Sequence, residues 1–164
     1  MLINKKISIG IIIFVVFTQL TFSQDEMFSL IRKIKVDHLG PAGQIDGCEF
    51  SKDNYYIIAS DNHGTAKVYI RSSGKYVNEV KHIQLNNLKF ERAGQVTAVG
   101  YSYDRKYFYT GINDHGLKLW NAETYTLAHH FNKTAEVDGA DFSSDGKWLA
   151  MAADSEVHVY RVTD

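Results

Sequence analysis

Three segments of this chain align almost residue for residue, and that self-similarity limits the folds open to it more than any other feature. They are Ile45-Asp46-Gly47-Cys48-Glu49-Phe50-Ser51-Lys52-Asp53, Val96-Thr97-Ala98-Val99-Gly100-Tyr101-Ser102-Tyr103-Asp104 and Val137-Asp138-Gly139-Ala140-Asp141-Phe142-Ser143-Ser144-Asp145. Each passes from an aliphatic residue through small and polar positions to an aromatic, then Ser-x-Asp. A repeat at this period means that one supersecondary unit recurs and that its neighbours stack to bury a shared core.

Each unit continues in the same way. A second apolar run follows at Tyr55 to Ser60, Lys106 to Gly111 and Lys147 to Ala152. A polar turn comes next: Asp61-Asn62-His63-Gly64, Asn113-Asp114-His115-Gly116 or Asp154-Ser155-Glu156. It leads into alternating strands at Ala66 to Tyr69, Leu117 to Trp120 and Val157 to Tyr160. Period-two alternation of β-branched and aromatic residues, punctuated by Asp, Asn and Gly, marks short antiparallel strands. Aromatics at 13% against a single proline agree with a strand-rich core. Asp53, Asp104 and Asp145 suit turns, where a short carboxylate bonds nearby backbone amides.

These residues resemble the WD-repeat β-propellers over nearly all of residues 28 to 164. The second unit carries the resemblance best, through Tyr101-Ser102-Tyr103-Asp104, Thr110-Gly111, Asp114-His115-Gly116 and Leu117-Lys118-Leu119-Trp120. The family's repeats run to about 40 to 45 residues of four strands. The resemblance implies an all-β fold, a β-propeller of four-stranded antiparallel blades, with three blades per chain. The units fall at about 45–85, 96–131 and 137–164, preceded by a strand-like stretch at 28–36. The Gly-His pair that usually precedes the first strand is missing, and the closing Trp is replaced by Tyr69 and Tyr160. Of the family's Asp-His-Ser/Thr-Trp network, Asp114, Thr110 and Trp120 match, with no histidine at the expected place.

The N-terminus has a different character. Lys5 and Lys6 precede an apolar run from Ile7 to Phe17, and Thr21-Phe22-Ser23 places small residues ahead of a cleavage point. The run is far below the roughly 20 residues that cross a bilayer as a helix. It reads as a signal peptide over residues 1–23, leaving a propeller segment over 24–164 that is secreted or periplasmic and not membrane-bound after cleavage. A lone cysteine, Cys48, forms no intramolecular disulfide and reads as a small buried hydrophobe mid-strand.

With 18 basic and 19 acidic residues the chain lacks the basic excess of a nucleic-acid binder. No nucleophile elbow, phosphate loop or His-Glu-x-x-His motif is present, so no catalytic, cofactor or metal residues are assigned and a non-catalytic scaffold is expected. The expected ligand is a protein, peptide or glycan. The candidate binding face comprises His63, Asp114 and His115 in the turns, with Asn87, Phe90 and Arg92 in an expanded stretch at 85–94. Asp46, Glu49, Thr97, Asp138 and Asp141 lie on the first strand of each unit, which lines a propeller's channel. Their carboxylates would repel one another unless water, basic residues or a cation compensates. The alternative reading is a propeller-type hydrolase or sugar oxidoreductase with a cation or cofactor there, or a remnant of a longer propeller.

Three blades do not close a ring, since closed propellers have typically 4 to 8. Two chains are therefore expected to form a six-bladed ring, each donating its strand at 28–36 to complete a blade. Pairing with another propeller chain is the other route to closure.

Overall fold

The computed structural model describes residues 29–36, 44–82, 95–113, 115–131 and 135–163. The signal-peptide reading of 1–23 and the sites Asn87, Phe90, Arg92 and Asp114 lie outside those residues. By contacts Arg32–Asp164 forms one compact unit, which holds every strand of the described residues.

The described residues form eleven strands and no helix, arranged as three antiparallel sheets. Sheet one runs β1 (Ile45–Phe50), β2 (Tyr56–Asp61), β3 (Thr65–Ile70) and β4 (Tyr76–Lys81) in spatial order. Sheet two repeats the meander with β5 (Val96–Tyr101), β6 (Tyr107–Ile112), β7 (Gly116–Asn121) and β8 (Leu127–Phe131). Sheet three has β9 (Val137–Phe142), β10 (Trp148–Ala153) and β11 (Glu156–Arg161). The first strands stand side by side, β5 beside β1 and β9 beside β5. The three sheets are not closed into a ring.

The Ser-x-Asp expectation holds in all three units. Ser51, Ser102 and Ser143 each donate their hydroxyl to the carboxylate two residues on, at 2.6, 2.7 and 2.6 Å. Each serine oxygen also accepts the amide that opens the next strand, from Tyr56, Tyr107 or Trp148. The residue after the aspartate turns left-handed in every unit, at Asn54 (φ 60°), Arg105 (66°) and Gly146 (71°). Arg105 uses that position to reach Asp53 of the neighbouring turn, at 3.1 Å.

Two apolar layers hold the sheets together. Between sheets one and two, Ile58, Ala66, Val68 and Val80 meet Val99, Tyr101, Phe108 and Trp120. Between sheets two and three, Ala98, Tyr109 and Leu117 meet Val137, Phe142, Leu149 and Met151. Sheet two is thus covered on both faces, and β6 is buried from Phe108 to Ile112. The Tyr109 ring crosses the backbone at Gly100, where an added Cβ would lie 2.4 Å from the tyrosine oxygen, and its hydroxyl donates to the Ala140 carbonyl. Glycine is required there because the phenol bridges two sheets through that space.

Two expectations are corrected. The described residues of the stretch 28–36 are not in a strand. Arg32 instead donates to the carbonyls of Ser72 (2.7 Å) and Ser73 (3.1 Å), in the β3–β4 turn of its own chain. A long cation satisfies those turn carbonyls, so the segment is held by a side chain and not by a backbone ladder. Cys48 is exposed, because the face of β1 that carries it is not the one packed on sheet two.

Trp120 fills the first apolar layer at 7% exposure, and its indole N–H donates to Thr110 at 2.9 Å. Trp120→Ala is expected to destabilise the fold by about 3 to 5 kcal/mol, the cost of truncating a large buried aromatic. Urea denaturation followed by tyrosine fluorescence measures it, and an unchanged midpoint would contradict this packing role.

Candidate binding surface and its buried support

The polar residues of the first strands stand at an irregularity that recurs in each unit. Strands β1 and β5 slip register between Ile45 and Gly47 and between Val96 and Ala98, and β9 slips between Val137 and Gly139 against β10. Asp46, Thr97 and Asp138 are the extra residues. A bulge leaves such a residue outside the ladder and re-aims its side chain, which is why an apolar strand tolerates a polar residue there. Thr97 uses this freedom to donate its hydroxyl to the Val137 carbonyl of sheet three, at 2.5 Å. Ser60 likewise donates to the Val96 carbonyl of sheet two, at 2.9 Å. Oδ2 of Asp46 is buried without a hydrogen-bond partner among the described residues.

Four of the five expected channel residues come together. Glu49, Thr97, Asp138 and Asp141, with Cys48 and Tyr109, line a cleft of about 360 Å³ along β1, β5 and β9. Glu49 is paired with Lys52 at 3.0 Å, and Asp141 accepts the Phe142 amide at 2.8 Å. Asp46 is not among the cleft's lining residues. Burial, followed by the charges of Asp141 and Glu49, raises the Tyr109 hydroxyl above its ordinary range, so it remains a neutral donor. Among the described residues no three His, Cys, Asp or Glu side chains converge as a metal ion would require.

The turn histidines His63 and His115 are both exposed. The amide of His63 donates to Asp61, which also accepts Thr65 N–H, so the β2–β3 turn is fixed by a buried carboxylate. The carbonyl of His115 accepts from His130 Nε2 at 2.8 Å.

Behind these turns lies a network the sequence reading left incomplete. His82, immediately after β4 and 1% exposed, places Nδ1 2.8 Å from the Thr110 hydroxyl. Its Nε2 lies 3.4 Å from the His115 carbonyl, and its own amide donates to Gly64 at 2.8 Å. Nε2 must carry the proton to meet a carbonyl, so Nδ1 accepts the Thr110 proton while Thr110 accepts the Trp120 indole. One polarised chain therefore runs from Trp120 through Thr110 and His82 to the turn. The histidine thought absent is supplied by His82, well ahead of β5, beyond the expanded stretch. An isolated His after an outer strand was the only signal that could have found it.

Burial first, then the nearby Lys118 ammonium, push His82 down to about 3. Lys118 donates to the His82 carbonyl, and burial lowers its own pKa. The turn carboxylates shift for other reasons. Asp53 and Asp145 are lowered chiefly by the Ser51 and Ser143 hydroxyls. At Asp104 burial opposes the shift, but bonds from Ser102 and Lys106 outweigh it.

The described fold is that of an all-β repeat protein whose antiparallel meanders, of four, four and three strands, stack face to face. Residues 84–121 and 122–161 match the family model of the WD domain, G-beta repeat. These two segments are thus WD40 repeats, consistent with a WD40-repeat-like family, and such repeats suggest a protein-interaction scaffold. The second match takes in β8 of sheet two with β9 to β11 of sheet three, so the family's repeat is out of phase with the sheets. No curated protein matches the chain.

Because His82 is held below its unfolded value of about 6.5, the unfolded state binds its proton first, and stability is lost as pH falls from about 6.5 toward 3. Between pH 7 and 5 this site alone should cost roughly 2 kcal/mol. The lowered aspartates act below that window, losing their contribution as pH falls through and below about 4. Urea denaturation at both pH values should show a smaller drop in His82→Gln than in the parent chain. An equal drop would mean that His82 does not govern the acid sensitivity.

Proposed function

We propose that this chain is an exported, non-catalytic scaffold of the WD40 β-propeller type, which holds a protein, peptide or glycan through its loop tips and the mouth of its channel. The carrying observation is the polar cleft along β1, β5 and β9, where Glu49, Thr97, Asp138 and Asp141 converge on a rigid apolar framework. In a propeller, first strands that stand side by side line the central channel, so this cleft is one side of that channel. Binding groups placed on a rigid scaffold's rim can vary without disturbing the layers beneath. The buried Thr110, His82 and Ser60 side chains are occupied in structural hydrogen bonds, which leaves recognition to the rim.

Export rests on the dilysine and the short apolar run ahead of Ser23. Intact-mass analysis of secreted protein should find residues 1–23 removed, and material retaining them would overturn this part of the proposal.

Binding is tested with the purified chain against a phage-displayed random-peptide library and an immobilised glycan array. Selected ligands should lose about tenfold in affinity, about 1.4 kcal/mol, on Asp138→Lys. Tyr103→Lys, at an exposed turn away from the cleft, should leave them unchanged. Ligands indifferent to Asp138→Lys, or no ligand from either source, would count against the cleft as the binding surface.

A further inference from the structure

The first strand of each unit ends on an aromatic residue, Phe50, Tyr101 or Phe142. Phenylalanine serves two of the three places, so packing alone does not account for the hydroxyl of Tyr101. This residue is only 4% exposed, in the apolar layer between sheets one and two. No hydrogen bond among the described residues uses its hydroxyl. Burial first, then the nearby hydroxyls of Tyr125 and Tyr56 and the Asp53 carboxylate, hold the phenol above its ordinary range. Those three neighbours line one cavity with Tyr101, of about 620 Å³, between the Ser-x-Asp turns of sheets one and two. The hydroxyl therefore faces the cavity. It stays neutral there, able both to donate and to accept.

The wall of the cavity carries a second departure from the repeat. The turn after β3 passes through Gly74 at φ 72°, and the matching turn after β7 passes through Tyr125 at φ 59°. The amide of each bonds the carbonyl four residues back, Gly74 to Ile70 at 2.7 Å and Tyr125 to Asn121 at 2.9 Å, so the two turns are alike. Glycine takes that conformation freely, whereas a bulky side chain is strained in it. Sheet two accepts the strain and gains an aromatic ring on the cavity. That ring is tilted against Phe108 with 6.0 Å between centroids, and Phe108 against Tyr101 with 5.8 Å. On the side of sheet one, half-buried Tyr56 is set by an edge-on contact with Tyr55 at 4.7 Å. The fold thus holds three tyrosines in place around the space.

Charge at the mouth is nearly balanced. Arg105 bonds Asp53 at 3.1 Å, and Lys106 lies 3.6 Å from Asp104. A cation would find only Glu123, exposed on the rim, and an anion would find nothing unpaired among the lining residues. A fixed ion pair does offer an acceptor and a donor side by side. Oδ1 of Asp53 is occupied by the Ser51 hydroxyl and the Tyr55 amide, while Oδ2 takes a single N–H from Arg105. A guanidinium has five. One of two adjacent hydroxyls can donate to Oδ2 while the other accepts from the guanidinium. Adjacent hydroxyls on a ring whose C–H faces are apolar are the chemistry of a saccharide, and aromatic walls with a few placed polar groups suit it.

We propose that the cavity between the Ser-x-Asp turns of sheets one and two is a saccharide-binding site, with the Tyr101 hydroxyl at its floor, Tyr56 and Tyr125 on its walls and the Asp53–Arg105 pair clamping two adjacent hydroxyls at its mouth. It shares no lining residue with the cleft along β1, β5 and β9, so the two sites are tested separately. The boundary between sheets two and three is built differently, since Phe142 and Gly146 stand there in the places of Tyr101 and Arg105.

Purified chain applied to an immobilised glycan array should retain saccharides, and solution titration of a retained saccharide should show about tenfold weaker binding to Tyr101→Phe. The urea midpoint of that variant should equal or exceed the parent's, because the ring remains and no internal hydrogen bond is lost. Arg105→Gly, which installs the residue of the third unit, should weaken the same saccharide similarly. Lys147→Ala, at the place of Lys106 in sheet three, should leave it unchanged. An array that retains nothing, or saccharides indifferent to either Tyr101→Phe or Arg105→Gly, would overturn the proposal. A lowered urea midpoint in Tyr101→Phe would do the same by making the hydroxyl structural. So would a basic peptide, selected from a random-peptide library, whose binding falls on Tyr101→Phe, since it would replace the saccharide as occupant. Saccharides lost on Asp138→Lys but kept by Tyr101→Phe would belong to the cleft and count against this cavity alone.

Discussion

An antiparallel sheet with two apolar faces cannot stand alone in water, and every layer of this protein follows from that constraint. Each meander exposes a row of aliphatic and aromatic side chains on both sides, and at about 25 cal/mol per Å² of apolar surface no polar decoration of the strands compensates for leaving a face wet. Another sheet with matching relief is the economical cover. Tyr101, Phe108 and Trp120 fill the space over Ile58 and Val68, and Phe142 and Leu149 do the same over Tyr109 and Leu117. Burial along the strands records the outcome. Strand β6, with sheets on both sides, is buried almost throughout, whereas β11 alternates.

Close approach of the sheets creates a second demand, because the backbone at the ends of the first strands is buried along with the side chains. A buried carbonyl without a donor is costly, while a satisfied one gains about 0.5–1.5 kcal/mol. The bulged positions and their neighbours meet this need with hydroxyls. Thr97 reaches the Val137 carbonyl and Ser60 the Val96 carbonyl, each across a sheet boundary. The chain from Trp120 through Thr110 to His82 solves the same problem at the outer end of sheet two, and only with a neutral imidazole. Protonation would give Thr110 a donor where it needs an acceptor and would place a second cation beside Lys118. The same device that fixes this sheet boundary therefore makes it sensitive to acid.

These local rules explain how far the sequence could be read. Ser-x-Asp followed by a left-handed residue is a contact among near neighbours, and it was legible in all three units, as were the strands flanking it. Contacts across long separations were not. His82 sits next to the exposed end of a strand, and nothing in its own surroundings shows that its ring enters the next sheet. Cys48 looks like a core residue because its strand does, but a strand has two faces and only the stacking order says which is covered. The stretch from 29 to 36 alternates like a strand, yet its described contacts come from Arg32 on turn carbonyls. Of the candidate site, the convergence of Glu49, Thr97, Asp138 and Asp141 was readable from repeat alignment, because equivalent residues in stacked units fall on one line. Asp46 aligned with them and still lies outside the cleft lining.

Sequence variation follows the same division between faces and rims. Positions 58 and 109 or 101 and 142 keep apolar or aromatic character from unit to unit because each fits the sheet beside it. The turns do not. The β2–β3 turn folds around the Asp61 carboxylate, while the β10–β11 turn uses Asp154 at positive φ, with its carboxylate on the Glu136 amide. Even the first strands differ where they meet the cleft: Glu49 and Asp141 flank Gly100, whose missing side chain lets Tyr109 reach the next sheet. A surface that is irregular on a regular frame is what recognition of an irregular partner requires.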